Sequence, residues 1–148
     1  NAGSWSGFGG CQSDHAIDGT SGKDGDPTTC IDGCVGGVCA GTPVAEPTEI
    51  DNSLRASIDK STFFWSNPAG PYNVYRGTNG TGSPWDYDQS CFSTHQTGSS
   101  VSDTDSPATA TFFYYLVSRV NECRESVIGR NSTSTPDPNT SPCVNPPN

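Results

Sequence analysis

Seven cysteines, two histidines and a run of aspartates carry most of the chemistry open to this 148-residue chain. Cys11, Cys30, Cys34 and Cys39 fall before a Pro-containing junction, and Cys91, Cys123 and Cys143 after it. Cytosolic reductants keep thiols reduced, so cysteines at this density point to disulfides and to an oxidising compartment outside the cell or at its surface. Zinc is the competing use of Cys30, Cys34 and Cys39, because spaced thiolates bind it tetrahedrally. Their spacings lack the CxxC knuckle of such sites, which favours disulfides. Four cysteines in one region and three in the other leave at least one that crosses between regions, joins another chain or stays free.

Asp14, Asp18, Asp24, Asp26 and Asp32 interleave with glycine and offer hard oxygen ligands to calcium, with Asp24, Asp26 and Asp32 as the candidate set. The D-x-D-x-D-G order and closing Glu of an EF-hand are missing, so solvated turn aspartates are the simpler reading. His15 and His95 with the plentiful serines could formally make a Ser–His–Asp site. No G-x-S-x-G elbow accompanies them, both histidines sit in polar, loop-like sequence, and nearly all the acids fall in turns. The chain reads as non-enzymatic, with no catalytic residue and no cofactor other than calcium as a candidate.

The aromatics suggest contacts rather than catalysis. Trp65 reads as core, whereas Trp85 and Tyr87 stand in a Gly/Pro-rich loop, GSPWDYD, and are candidates for stacking on a sugar or a protein. Trp5 and Phe8 lie in the Gly-rich arm NAGSWSGFGG, which could dock on a neighbouring copy and add a strand to its sheet edge. Asn79 (NGT), Asn131 (NST) and Asn139 (NTS) are N-glycosylation sequons read as loop or tail positions, and the Ser/Thr/Pro-rich tail suits O-glycans.

The elements that must position these residues are short strands. Leu54–Ile58, Thr62–Trp65, Tyr72–Arg76 and Phe112–Val120 are apolar or alternating runs set between turn signals, and no segment has a helical period. In Tyr72–Arg76 one face carries Tyr72, Val74 and Arg76 and the other Asn73 and Tyr75. The first 43 residues show almost no strand pattern and read as an irregular, disulfide-stapled arm. A net charge of −9 disfavours nucleic acid, whose phosphates need Lys and Arg. No apolar run approaches the roughly 20 residues of a membrane span, and no secretion signal opens the chain.

From about Val44 to Cys143 the sequence resembles the fibronectin type III-like modules at the ends of many secreted bacterial proteins. The resemblance rests on Tyr72-Asn73-Val74-Tyr75-Arg76-Gly77, on Cys91, on Asp103 to Pro107, on Tyr114 to Cys123 and on the tail from Gly129 to Cys143. It implies a fibronectin type III/Ig-like β-sandwich with Trp65 as its strand-B core tryptophan. The preceding stretch resembles the Cys-rich repeats that often come before such modules, in Asp24-Gly25, Cys30, Cys34 and Gly37 to Pro43. Gly22 stands where a first cysteine often lies, with Cys11 as its replacement. The expected organisation is an arm over 1–43, a sandwich over 44–143 and a tail over 144–148. Within the sandwich Cys91 and Cys123 are the expected pair, closing a loop of about 32 residues for roughly 3–4 kcal/mol. Neither family implies catalysis; both imply extracellular spacing, adhesion or assembly. The expected function is a structural or adhesive module, including the self-assembling subunit of a surface filament, with carbohydrate-binding accessory module as the alternative. The expected partners are further copies, another surface protein or glycans.

Overall fold

The computed structural model describes Thr20, Ser21, Asp24, Asp26 and residues 28–66 and 69–144. Trp5, Phe8, Cys11, Asp14, His15, Asp18, Gly22 and Gly25 lie outside the described residues. The described chain is all-β, with three small antiparallel sheets and a single 3-10 turn. Its described residues fall into two compact units, one reaching to Ala45 and one beginning at Glu46.

The first unit holds strands β1 (Thr20–Ser21), β2 (Thr29–Val35) and β3 (Val38–Pro43), paired in the order β1-β2-β3. This corrects the expectation of an irregular arm. Gly36 and Gly37 both take positive φ between Val35 and Val38, the two-residue hairpin turn that glycine permits without steric cost. The turn sets Cys34 opposite Cys39 with Cα atoms 4.0 Å apart, and a disulfide joins them across the hairpin. Val35 and Val38 are exposed. A turn and a cross-strand disulfide hold this hairpin, so no alternating apolar pattern marks its strands in the sequence.

In the second unit a 3-10 turn (Asp51–Ser53) leads into β4 (Arg55–Ala56) and β5 (Thr62–Phe64), then β6 (Tyr72–Gly80), β7 (Ser90–Gln96), β8 (Ser100–Ser102) and β9 (Thr111–Arg119). One sheet runs β4-β5-β8 and the other β7-β6-β9. The run Leu54–Ile58 shrinks to two strand residues, with Ile58 in solvent. The Ser/Thr-rich β7 and β8 carry too few apolar residues to be read from sequence; partners already fixed on β6 and β5 recruit them.

Residues from both sheets share one core. Trp65, Tyr72, Val74, Val117 and Ile50 are buried together, with Trp65 edge-on to Tyr72 at 5.1 Å. Phe63 of the first sheet stacks on Tyr115 of the second, ring centroids 3.8 Å apart. The predicted alternation in β6 is present, but its second face is not solvated: Asn73 and Tyr75 are both fully buried. The chain after β9 returns across that face and lays Ile128 and Cys143 against Tyr75.

Cys143 therefore bonds Cys91, correcting the expected Cys91–Cys123 pair. Cys91 lies opposite Tyr75 in the ladder, and the Cys143 N–H donates to the Tyr75 hydroxyl at 3.0 Å, which brings the two cysteines together. Cys123 instead sits in the turn after β9, where Asn121 Oδ1 accepts its N–H, and it too is disulfide-bonded. Among the described residues no cysteine is free, the state that an oxidising compartment maintains.

Candidate functional site

The edges of the two sheets in the second unit are not alike. β4 and β8, at the margins of one sheet, have only two and three residues. β7 pairs with β6 through two register irregularities and carries His95 at positive φ, so its edge is kinked. Short strands and bulges are the usual ways of making an edge a poor template for another strand. β9 has neither device. It runs nine residues in unbroken register with β6, and Thr111–Ser118 contains no proline and no charge.

The direction of its free hydrogen-bonding groups follows from one rung. Arg119 turns both N–H and C=O away from β6: its N–H donates to Ser126 Oγ, and its carbonyl accepts the Ser126 N–H at 2.8 Å. The two-residue period of a strand turns the N–H and C=O of Val117, Tyr115 and Phe113 the same way. Among the described residues no strand pairs with β9 on that side.

A groove of about 580 Å³ runs beside this edge, a volume within the range of ligand sites. Tyr115, Leu116 and Val117 form its β9 side, Ile50, Leu54, Asp51, Asn52 and Arg55 one wall, and Ile128, Gly129 and Asp137 the other, so apolar and polar groups share the lining. The Glu49–Arg130 ion pair, 2.7 Å long and partly exposed, spans the two walls. An exposed pair of this kind contributes at most about 1 kcal/mol, so it is easily displaced.

Two polar clusters make the surroundings rigid. Glu125 Oε1 accepts hydrogen bonds from Asn73 Nδ2 (3.1 Å), the Tyr75 hydroxyl (2.6 Å) and the Ser118 hydroxyl, tying the returning chain to β6 and β9. Burial, with the bond to Glu125 behind it, pushes the Tyr75 hydroxyl up to about 12. On the opposite face the Arg76 guanidinium lies over the rings of Phe92 (4.9 Å) and Phe113 (4.5 Å) and donates to Asp103 (2.6 Å) and Asp105 (2.8 Å). Tyr115 donates to the same Asp103 at 2.7 Å, so this cluster also sets the side chain of a groove residue. Burial works to raise the Asp103 carboxyl, but the Tyr115 hydroxyl, the Asp105 N–H and Arg76 together hold it below its usual value.

Trp85 and Tyr87 belong to a second surface. Trp85 is 52% exposed and packs on Tyr114 (4.7 Å), Tyr87 (5.9 Å) and Phe112 (6.4 Å), the last also exposed at 38%. Tyr87 is half-buried and its hydroxyl donates to Asp137, and Gln89 Nε2 donates to the carbonyl of Pro138, so the loop and the returning tail support one another. Tyr114 lies across β6 at Gly77, where a Cβ would come within 2.1 Å of its ring. Phe112 is the member of this patch that sequence reasoning missed, because in a strand of consecutive aromatics the exposed one carries no distinguishing mark.

The other candidate residues divide by burial. Asn79 is buried within β6 and its Nδ2 donates to the carbonyl of Asp86, so it is no glycan acceptor in the folded chain, correcting its reading as a loop position. Asn131 is exposed, while Asn139 is half-buried. His95 is exposed, on a strand rather than in a loop. Asp24, Asp26 and Asp32 turn carboxylate oxygens to backbone N–H groups: Asp24 accepts from Asp26 and Gly41, Asp26 from Thr28, and Asp32 from Asp24. The Asp26 N–H leads the bonds that hold the Asp24 carboxyl below its usual value. Among the described residues no group of three or more His, Cys, Asp or Glu side chains is placed to hold a metal ion.

Comparison with protein-family models, with curated proteins and with solved structures finds no match.

Proposed function

We propose that the chain is a non-catalytic extracellular structural module, a fibronectin type III-like sandwich preceded by a disulfide-stapled hairpin, that assembles with further copies into a surface filament. The observation that carries this reading is the contrast between edges. Three are short or kinked, and the fourth, β9, keeps unbroken register with β6, is uncharged over eight residues and is bordered by a groove. An unguarded edge of this kind is an aggregation hazard unless a partner is meant to use it. The disulfides fit an extracellular setting. Negative-stain microscopy of the purified, oxidised chain at rising concentration tests the reading. Ordered fibres support it, and isolated particles at every concentration refute it.

A second reading, a carbohydrate-binding accessory module, draws on a different observation. Exposed Trp85 and Phe112 offer ring faces for the C–H face of a sugar, and the exposed Asp86 and Asp88 stand next to them as acceptors for its hydroxyls. A glycan array probed with the chain and with W85A separates the two readings. Glycan binding lost in W85A supports this one, and an empty array removes it.

A further inference from the structure

We propose that the groove beside β9 is an acceptor for one extended strand, and that its occupant is the Gly-rich segment of residues 1–10 from a second copy of this chain. The proposal rests on the assembly reading above and names the surfaces that carry it.

The acceptor side has three parts. Val117, Tyr115 and Phe113 turn main-chain N–H and C=O groups outward, so an antiparallel or parallel strand can continue the ladder that Ser126 begins and leaves after one rung. Ile50 and Leu54 flank the β9 side on the side of the inter-sheet core, and Ile128 flanks it on the side of the returning tail. An added strand would therefore meet apolar side chains on each of its two faces, set among the polar groups of Asp51, Arg55 and Asp137.

Residues 1–10 suit that slot by length, charge and pattern. Extended, they reach about 33 Å, enough to run the whole open stretch from Phe113 to Val117 with chain to spare. They contain no charged side chain, and the first acid in the chain is Asp14. Copies that each carry a net charge of −9 repel one another, and a neutral segment can approach where an acidic one cannot. Trp5 and Phe8 are three residues apart, and strand side chains alternate, so the two rings point to opposite faces and each finds one wall. Gly3, Gly7, Gly9 and Gly10 leave room for close main-chain approach. Filling each copy's groove with the next copy's segment is a head-to-tail contact, which propagates into a fibre where the rotation does not close a ring.

Sedimentation velocity on the full, oxidised chain tests this with two variants and one competitor. V117P removes an outward N–H without touching a bond to β6, a position where an edge strand tolerates proline. W5A/F8A removes both rings from the segment. The competitor is a synthetic peptide of residues 1–10, with a scrambled peptide as control. The wild-type chain is expected to form large species, both variants are expected to stay monomeric, and the native peptide alone is expected to dissolve the wild-type species. If V117P loses its near-ultraviolet circular dichroism through misfolding, the peptide competition decides. Assembly that persists in W5A/F8A and in excess native peptide overturns the strand acceptor while leaving assembly intact. A wild-type chain that never leaves the monomer overturns both.

Discussion

The Tyr75 hydroxyl accepts the N–H of Cys143 at 3.0 Å, and Cys143 is bonded to Cys91, the residue opposite Tyr75 on the neighbouring strand. One buried tyrosine thus sits under the point where the tail is stapled to the sheet. The tail supplies Ile128, and with it one wall of the β9 groove, so what holds the tail also shapes the candidate site.

Replacing Cys91 and Cys143 together by serine should cost about 4 kcal/mol, the chain-entropy value for closing a loop of this size. The two residues are 52 apart in sequence. Urea denaturation of the double variant measures the loss. An unchanged midpoint would show that the tail is held without the disulfide.

The tail is the part of the second unit whose packing is least legible in its residues. NSTSTPDPNTSPC has the composition of a solvated linker, and only its partners reveal it as the cover of a buried sheet face. One of those partners, Tyr75, accepts the Cys143 N–H and shares its face of β6 with Asn73, which Glu125 holds. Two-residue alternation shows that a strand has two faces; it does not show that both are buried when a later segment returns to cover one. The strands Thr62–Trp65, Tyr72–Arg76 and Phe112–Val120 and the core position of Trp65 were legible because apolar burial drives them. The hairpin of β2 and β3 was not, although Val-Gly-Gly-Val was there to be read as a two-residue turn. The open edge of β9 has no sequence signature, since it depends on which strands fail to pair with it.

Glu125 should tolerate glutamine far better than alanine. Glutamine keeps an acceptor oxygen for Asn73, Tyr75 and Ser118, and about 1 kcal/mol should be lost with the charge. Alanine strands three buried donors and should cost about 3 kcal/mol or more. Equal midpoints for E125Q and E125A in urea would contradict the role given to Glu125 Oε1.

Alkaline pH should unfold the second unit in a defined window. Burial and the bond to Glu125 push Tyr75 up to about 12, and burial with Asp88 does the same for Tyr114. A folded-state value above the unfolded one, near 10, stabilises the fold fully below pH ~10, and that contribution is lost as pH rises to about 12. An ultraviolet titration should therefore show late-ionising tyrosines whose transition coincides with loss of structure. Ionisation of all five tyrosines near pH 10 with the fold intact would contradict the buried hydroxyl network.

Expression in a host that attaches N-linked glycans should leave Asn79 unmodified in folded protein, because Asn79 Nδ2 is buried and donates to Asp86. Exposed Asn131 is the sequon expected to be occupied. Peptide mass mapping reads both sites, and a glycan on Asn79 of soluble, oxidised chain would contradict the burial of this part of β6.

Amide hydrogen exchange at Tyr115 and Val117 tests the central claim most directly. Their N–H groups turn away from β6, whereas those of Tyr114 and Leu116 bond to it. At dilution Tyr115 and Val117 should exchange much faster than Tyr114 and Leu116, and under assembling conditions they should become as protected as those neighbours. Equal protection of all four in the dilute chain, or assembly that leaves Tyr115 and Val117 fast, would contradict a β9 edge that is open in the monomer and filled in the proposed assembly.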